Sequence, residues 1–326
     1  MYLDFYGFAE PPFSTTPDPK FLYRTAGHHE ALAHLIYGVQ DDKGFTMLTG
    51  AIGTGKTTLL HALLRALAPE VGVAFVSNSM LRFEGLVEYI VQEFGIAKPT
   101  DSHVQQLIAL RNHLLERDRA GRKTVLILDD AHNFSPATLE RVRLLSSFER
   151  PGAKLLQILL VGQPELATKL RRPELRQLQQ RIALRFQIEP LSAEDTRAYI
   201  RTRLRIARAE DPGLFTARAV SRIHLYSGGI PRVVNLLCDR CLLIGYADQR
   251  RRIEPAVVEE ARAQLLDVRS RRQFPKIARG LNARLRPWAV GALAAAIVIG
   301  LGAFVLRPEA GHLAEVARSA LDLLIR

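Results

Sequence analysis

Residues 50–58, GAIGTGKTT, have the composition and spacing of a phosphate-binding loop. Gly50 and Gly55 enclose four residues and are followed by Lys56 and Thr57, which is the G-x-x-x-x-G-K-[ST] pattern. Glycines let backbone N–H groups wrap phosphate oxygens, and a lysine at this position reaches the outer phosphates of a nucleotide. The strand-like run 45–49 before the loop and the helical run after it argue against a chance match. The predicted phosphate-binding residues are Gly50, Ala51, Ile52, Gly53, Thr54, Gly55, Lys56, Thr57 and Thr58.

Two adjacent aspartates follow the apolar run 125–128. A carboxylate at the tip of a buried strand is suited to hold Mg²⁺, so Asp129 and the Thr57 hydroxyl are the predicted metal ligands. Asp130 stands where many nucleotide enzymes have a glutamate that orients the attacking water. Because aspartate is one methylene shorter than glutamate, its carboxylate is set back by roughly 1.5 Å from the glutamate position. Catalytic geometry is sensitive to displacements of about 1 Å. We therefore predict ATP hydrolysis with a catalytic Asp130 and slow turnover; the alternative is that Asp130 is only a turn or N-cap residue.

The elements around these motifs predict an α/β core in residues 1–190. Nearly continuous apolar runs separated by helical stretches are typical of a parallel sheet covered on both faces. The predicted strands are 45–49, 73–77, 125–128, 155–161 and 182–188. The 73–77 strand lies between the phosphate loop and the aspartate pair, and an inserted strand there is typical of the P-loop branch that hydrolyses ATP. Residues 1–24, rich in proline and aromatic side chains, are predicted to be an ordered loop, and a helix is predicted at 28–40.

After residue 190 the strand pattern ends and a small all-α domain is predicted over 191–268. Ser192 followed by Asp195 has the spacing of a capping box. Helical periodicity recurs at 193–208, 216–226, 231–247 and 255–266. Cys238 and Cys241 fall within one of these helices, and we interpret them as buried thiols rather than as a metal or redox site.

The C-terminal region is predicted to tether the chain to a membrane. The net charge is +12, and residues 269–286 contain seven basic residues and no acid, which marks a basic juxtamembrane linker. An uncharged apolar segment follows, and we predict a transmembrane helix at 287–306, although a buried core helix is the alternative. The positive-inside rule then places the N-terminal domains in the cytoplasm and the tail 307–326 in the periplasm. The first ten residues lack the features of a signal peptide.

The ordered set of motifs resembles the ExeA/GspA-type ATPases of the general secretion pathway, a branch of the AAA+ family. The quoted segments are PPFSTTPDPKFLY, HHEALAHLIYG, LTGAIGTGKTT, LILDDAHNFS, LLSSFE, LLQILLVGQPEL, LRQLQQRIALRFQIEPLS and SGGIPRVVN, over about residues 5–268. The sequence is also similar to membrane ATPases associated with the MSHA pilus and with exopolysaccharide export. The resemblance implies a P-loop AAA+ core of five parallel strands, a helical lid, bound ATP and Mg²⁺, and a homo-oligomer.

The same resemblance implies roles for five side chains. Gln163 falls at the first γ-phosphate sensor and Arg232 at the second, on the lid. Arg176 and Arg181 flank the position of an arginine finger that acts on a neighbouring subunit, and Arg181 is favoured. Tyr23 and residues 27–30 are expected near the adenine. Asp130 departs from the family's usual glutamate, and the tail 307–326 is too short for the peptidoglycan-binding region of longer members.

The expected function is therefore a cytoplasmic ATPase, tethered to the bacterial inner membrane by a single span. It would drive assembly or operation of an envelope machine for secretion, pili or exopolysaccharide. A DNA-associated ATPase of the TniB or origin-recognition type is one alternative, although DNA binding is disfavoured because the charge clusters beside the apolar segment. A nucleotide-gated scaffold with little hydrolysis is another, because of Asp130.

Overall fold

The computed structural model describes residues 2–16, 19–21, 23, 25–97 and 102–266. The predicted basic linker, transmembrane helix and tail, residues 269–326, lie outside these ranges. Within the ranges described, no helix combines the length and the apolar character that crossing a membrane requires.

A parallel five-stranded sheet forms the centre of the fold, as predicted. Its strands are β1 (Phe45–Gly50), β2 (Gly72–Val76), β3 (Thr124–Leu128), β6 (Gln157–Gly162) and β7 (Ile182–Ile188). Their order in the sheet is β2-β3-β6-β1-β7. The 73–77 run was predicted to be the strand inserted between the phosphate loop and the aspartate pair. As a statement about order in the sheet, this prediction is wrong. β2 lies at the edge of the sheet, and β6 lies between β1 and β3.

Burial along the strands follows from this order. Every residue of β1, β3 and β6 is buried, because these strands have a neighbour on both sides and helices on both faces. The edge strand β7 alternates in burial along Ile182–Ile188. In β3, Leu126 and Leu128 point into one hydrophobic cluster while Val125 and Ile127 point into the other. This alternation is the two-residue period of a strand.

Two sets of helices cover the two faces. The first set is α2 (Ala26–Gln40) and α3 (Lys56–Ala66), which share a hydrophobic cluster with one face. The second set is α4 (Phe83–Glu93), α5 (His103–Arg119), α6 (Pro136–Leu145), α7 (Pro164–Leu170) and α8 (Arg176–Arg181). A short hairpin, β4 (Glu149–Arg150) with β5 (Ala153–Lys154), precedes β6 and was not predicted.

Four further helices follow the sheet close to their predicted bounds. They are α9 (Ala193–Ile206), α10 (Ala217–Ser227), α11 (Pro231–Ala247) and α12 (Pro255–Leu266), and they share a third cluster. The Ser192 hydroxyl accepts a hydrogen bond from the Asp195 amide at 3.0 Å and caps α9, as its spacing predicted. The Asp195 carboxylate accepts from the same hydroxyl at 2.7 Å.

The N-terminal segment differs from its prediction as a loop. Tyr2–Tyr6 forms a one-turn helix, α1, and Pro19–Phe21 forms a 3-10 turn. Tyr6, Phe8 and Phe13 are buried in the cluster of α9–α12. This packing supplies the apolar burial that a five-residue helix needs, because such a short helix is not stable alone.

Candidate nucleotide-binding site

The phosphate loop joins β1 to α3 and closes on itself through hydrogen bonds. The Lys56 ammonium donates to the carbonyls of Gly50, at 2.8 Å, and Ala51, at 3.0 Å. The Thr54 hydroxyl donates to the Ala51 carbonyl at 2.9 Å. Gly55 is the N-cap of α3, so the first amides of this helix open into the loop. The predicted strand, loop and helix are therefore all in place.

Lys56 is buried, with 8% of its surface exposed. Burial lowers the pKa of its ammonium, while Asp129, Asp130 and Glu165 act in the opposite direction. A cation held mainly by carbonyl oxygens in a desolvated site would be stabilised by an anion placed beside it. The loop thus has the electrostatic character of a phosphate site.

Asp129 and Asp130 follow β3 and differ strongly in environment. Burial raises the pKa of the Asp129 carboxyl, and the Asp130 amide, which donates to Asp129 Oδ1 at 2.9 Å, opposes the rise. Asp130 adopts φ 49° and ψ 36°, in the left-handed region, and 54% of its side chain is exposed. A non-glycine residue in this conformation is uncommon, and such residues cluster at functional sites.

Arg232 lies at the start of α11 and meets the loop directly. Its amide donates to the Gly53 carbonyl at 3.3 Å. Gly53 has φ 81°, and a Cβ atom at this position would lie 2.5 Å from Arg232 Cβ. Only glycine fits this approach without displacing either the loop or α11.

A cleft of about 400 Å³ brings most of the predicted site residues together. The loop residues 52–58, Asp129, Asp130, Gln163 and Arg232 all line it. They come from the carboxyl ends of β1, β3 and β6 and from the start of α11, which is where ligands bind to parallel sheets. Arg176 and Arg181 do not line this cleft. Both are exposed on α8, and Arg181 donates to the Ser146 hydroxyl at 2.7 Å.

The end of the cleft away from the phosphate loop contains residues that the motifs did not identify. Arg203 is 5% exposed and donates to the carbonyls of Pro12, at 2.6 Å, and Ser14, at 3.3 Å. It also donates to the Tyr199 hydroxyl at 2.7 Å. The available signal was the position of Arg203 on the buried face of α9, beside Tyr199. The other unpredicted lining residues are Ser14, Thr15, Thr16, Phe21, Leu191, Tyr199, Pro231 and Asn235.

The region expected near the adenine is only partly in the cleft. Tyr23 and His28 line it, whereas Gly27, His29 and Glu30 are exposed outside it. His28 Nε2 lies 3.2 Å from the Thr54 carbonyl, and Nδ1 lies 2.7 Å from the Thr25 hydroxyl. Burial lowers the pKa of His28. This histidine therefore supports the phosphate loop from α2.

The two cysteines lie in α11 as free, buried thiols. Burial raises the pKa of Cys241 to about 12 and that of Cys238 well above its ordinary value. Such thiols are protonated and inert at neutral pH, in agreement with the interpretation of this pair as core residues.

Comparison with known proteins agrees with this geometry. Residues 39–170 match the model of an AAA domain. General secretion pathway protein A of Aeromonas hydrophila is 46% identical over 248 residues, which cover 76% of this chain and 45% of that protein. The chain thus spans less than half the length of this relative.

Solved structures show the same fold at low identity. Cdc6p from Pyrobaculum aerophilum has a TM-score of 0.60 at 20% identity, covering 77% of this chain and 69% of that chain. The Aeropyrum pernix ORC2 protein has a TM-score of 0.59 at 18% identity, covering 79% and 72% respectively. Residues 39–170 therefore form an AAA domain, and the resemblance of the chain to the general secretion pathway protein A type is confirmed over about three quarters of its length.

Proposed function

We propose that this chain binds ATP with Mg²⁺ in the cleft and hydrolyses it to drive a bacterial envelope export system. The observation that carries the proposal is the convergence of loop residues 52–58, Asp129, Asp130, Gln163 and Arg232 on one cleft. These groups can bind phosphates, hold a divalent cation, orient water and sense the outer phosphate, which together are the requirements of phosphoryl transfer to water.

In this proposal the residues that hold the nucleotide are those of the loop. Backbone amides at the start of α3 and the Lys56 ammonium would bind the phosphate oxygens. The Thr57 hydroxyl and the Asp129 carboxylate would hold Mg²⁺, which neutralises phosphate charge when bound. Two protein ligands suit Mg²⁺, because it usually completes its coordination with phosphates and water.

The hydrolytic step would depend on Asp130. Its carboxylate lines the cleft and would orient the attacking water, while Gln163 and Arg232 would contact the outer phosphate. Asp130 is one methylene shorter than glutamate, so a slow rate is expected. A nucleotide-gated scaffold, in which binding is the signal and hydrolysis is rare, is the second candidate for the same reason.

Arg176 and Arg181 support an oligomeric form of the enzyme. Both are exposed outside the chain's own cleft, so a catalytic role would require each to act on a neighbouring subunit. We therefore propose a homo-oligomer in which Arg181 completes the adjacent site.

The export function rests on the similarity to general secretion pathway protein A. We propose tethering to the inner membrane through residues 287–306, with the ATPase region in the cytoplasm. The likeness to Cdc6p and to the ORC proteins is one of fold at 17–20% identity and supplies no argument for DNA binding.

Steady-state ATP hydrolysis by the purified full chain tests the proposal, at several protein concentrations and with wild type, Asp130→Glu and Asp130→Ala. A rate that rises with concentration and is lost in Asp130→Ala supports an oligomeric ATPase. A negligible wild-type rate that Asp130→Glu restores supports the scaffold. Nucleotide binding that Lys56→Ala leaves unchanged would contradict both.

A further inference from the structure

His132 lies between two groups of the proposed catalytic site and was not assigned a role by the motifs. It is two residues after Asp130, in the 3-10 turn Ala131–Asn133. Its Nε2 lies 2.8 Å from the side-chain amide nitrogen of Gln163, and its Nδ1 lies 4.0 Å from Asp130 Oδ1. The His132 side chain is 11% exposed, against 54% for Asp130. The largely buried His132 ring therefore lies between the exposed Asp130 carboxylate and the Gln163 side-chain amide.

The backbone that carries this ring is held on several sides. The Lys169 ammonium, from α7, donates to the carbonyls of His132 and, at 2.9 Å, Phe134. A Cβ atom at Gly162 would lie 3.3 Å from the His132 backbone nitrogen, so the end of β6 packs closely against the turn. The Asn133 side-chain amide donates to the Ser79 hydroxyl at 3.2 Å. The turn cannot shift without disturbing β6, α7 and the segment after β2.

Gln163 contacts the ring through its backbone as well as its side chain. Its backbone N–H donates to His132 Nδ1 at 3.4 Å, which complements the contact at Nε2. A neutral imidazole offers one donor and one acceptor nitrogen, so with Nδ1 accepting from the Gln163 backbone N–H, Nε2 carries the proton and donates to the Gln163 side-chain amide, which presents its oxygen by a half-turn of the amide group. The ring thereby restricts the rotamers of Gln163. Without this contact, the Gln163 side chain would lose considerable conformational entropy when it is fixed in one position.

We propose that His132 is a positioning residue that joins Gln163 to Asp130, so that phosphate sensing and water orientation act as one unit. The inference rests on the proposed function of this cleft. His132 does not itself line the cleft, so it would act through its neighbours. It orders Gln163 through hydrogen bonds, and its ring adjoins the Asp130 carboxylate at 4.0 Å, which is a packing contact rather than a hydrogen bond.

Kinetics of the full chain test the inference with His132→Ala, His132→Gln, Gln163→Ala and the double variant His132→Ala/Gln163→Ala. The exposed His61→Ala on α3 is the matched control. We expect His132→Ala to lower kcat about 10-fold or more with little change in KM, because positioning acts on the transition state. The double variant should be no slower than Gln163→Ala, and His132→Gln should recover part of the rate.

Binding supplies a readout that does not require turnover. We expect wild type to prefer a non-hydrolysable ATP analogue over ADP, and His132→Ala and Gln163→Ala to lose that preference equally, without further loss in the double variant. Independent, multiplicative losses in the double variant would overturn the inference, as would an unchanged rate and preference in His132→Ala. A wild type without turnover would refute ATPase function, while the nucleotide preference would still decide the role of His132.

Discussion

At one end of the cleft, Lys56 bonds to Gly50, six residues earlier in the chain. At the other end, Arg203 bonds to Pro12, which is 191 residues away in sequence. The phosphate end is a single segment between β1 and α3, whereas the opposite end forms only when the N-terminal segment packs on α9 and α11. The phosphate end can be recognised from residues that are adjacent in sequence, whereas the opposite end depends on the complete fold.

Substitutions at the two ends of the cleft should therefore differ in their effects on nucleotide binding and on stability. Groups at the phosphate end are prepared for a ligand and stabilise the free protein little. Groups at the opposite end satisfy one another and so contribute to folding.

Arg203→Ala should lower the free energy of unfolding by about 3 kcal/mol, because it leaves the buried Pro12 carbonyl without its donor and removes one donor each from the part-buried Ser14 carbonyl and the Tyr199 hydroxyl. Denaturant unfolding of the free protein measures the change. Arg203→Lys should recover only part of it, since an ammonium lacks the geometry of the guanidinium. The control is Arg201→Ala, exposed on the same helix, and an equal loss there would remove the distinction.

Lys56→Ala should weaken ATP binding about 100-fold, or roughly 2.7 kcal/mol, by removing a charged donor to phosphate. The free protein should lose less stability than in Arg203→Ala, because burial disfavours the charged ammonium, as its lowered pKa indicates, and relief of that cost offsets the loss of its two hydrogen bonds. Isothermal titration and thermal unfolding measure the two quantities. Lys43→Ala, which removes a partly exposed lysine outside the cleft, should change neither. A large drop in the Tm of free Lys56→Ala would contradict the proposed contrast.

Gly53→Ala should weaken ATP binding about 10-fold and lower stability by about 1 kcal/mol, because a side chain at φ 81° is strained and would meet Arg232. Gly95→Ala is the matched control. Gly95 has φ 66° with no atom within 4 Å of an added Cβ, so it bears the conformational cost alone. Equal nucleotide affinities in the two variants would show that the contact with α11 does not affect the loop.

His28→Gln should reduce the loss of stability on acidification by up to about 1 kcal/mol. The folded-state pKa of His28 is lowered from 6.5, so the unfolded chain binds the proton first as pH falls. The stability contributed by the neutral ring is present above pH 6.5 and is lost as pH falls through the folded-state pKa. Tm values from pH 7.5 to 4.5 measure the difference between wild type and variant. Parallel curves would contradict the assignment.

The features that could be predicted from the sequence are local patterns, and those that could not depend on contacts between distant residues. The apolar runs of β1, β3 and β6 and the loop between residues 50 and 58 are local patterns, and they were predicted within a few residues. Helix α1 was missed because its stability comes from contacts with α11. The edge position of β2 was also missed, since order along the chain does not determine order in the sheet.

The side-chain contacts of the site divide in the same way, into those that sheet topology determines and those that depend on packing. Asp129, Asp130 and Gln163 each follow a strand, and parallel topology is sufficient to bring them together. The contact of His132 with Gln163 depends on the shape of one turn, and that of Arg203 with Pro12 depends on packing across the domain. Periodicity places Arg203 on a buried face but does not identify what it meets.

The hydrogen bond from the Arg232 amide to the Gly53 carbonyl has a mechanical consequence. It attaches the phosphate loop to one end of α11, a 17-residue helix that extends about 25 Å. Thermodynamic linkage is reciprocal, so if occupation of the loop displaces this helix, any partner that displaces the helix alters nucleotide affinity by the same factor. Helix α11 would then act as a lever that transmits work in both directions.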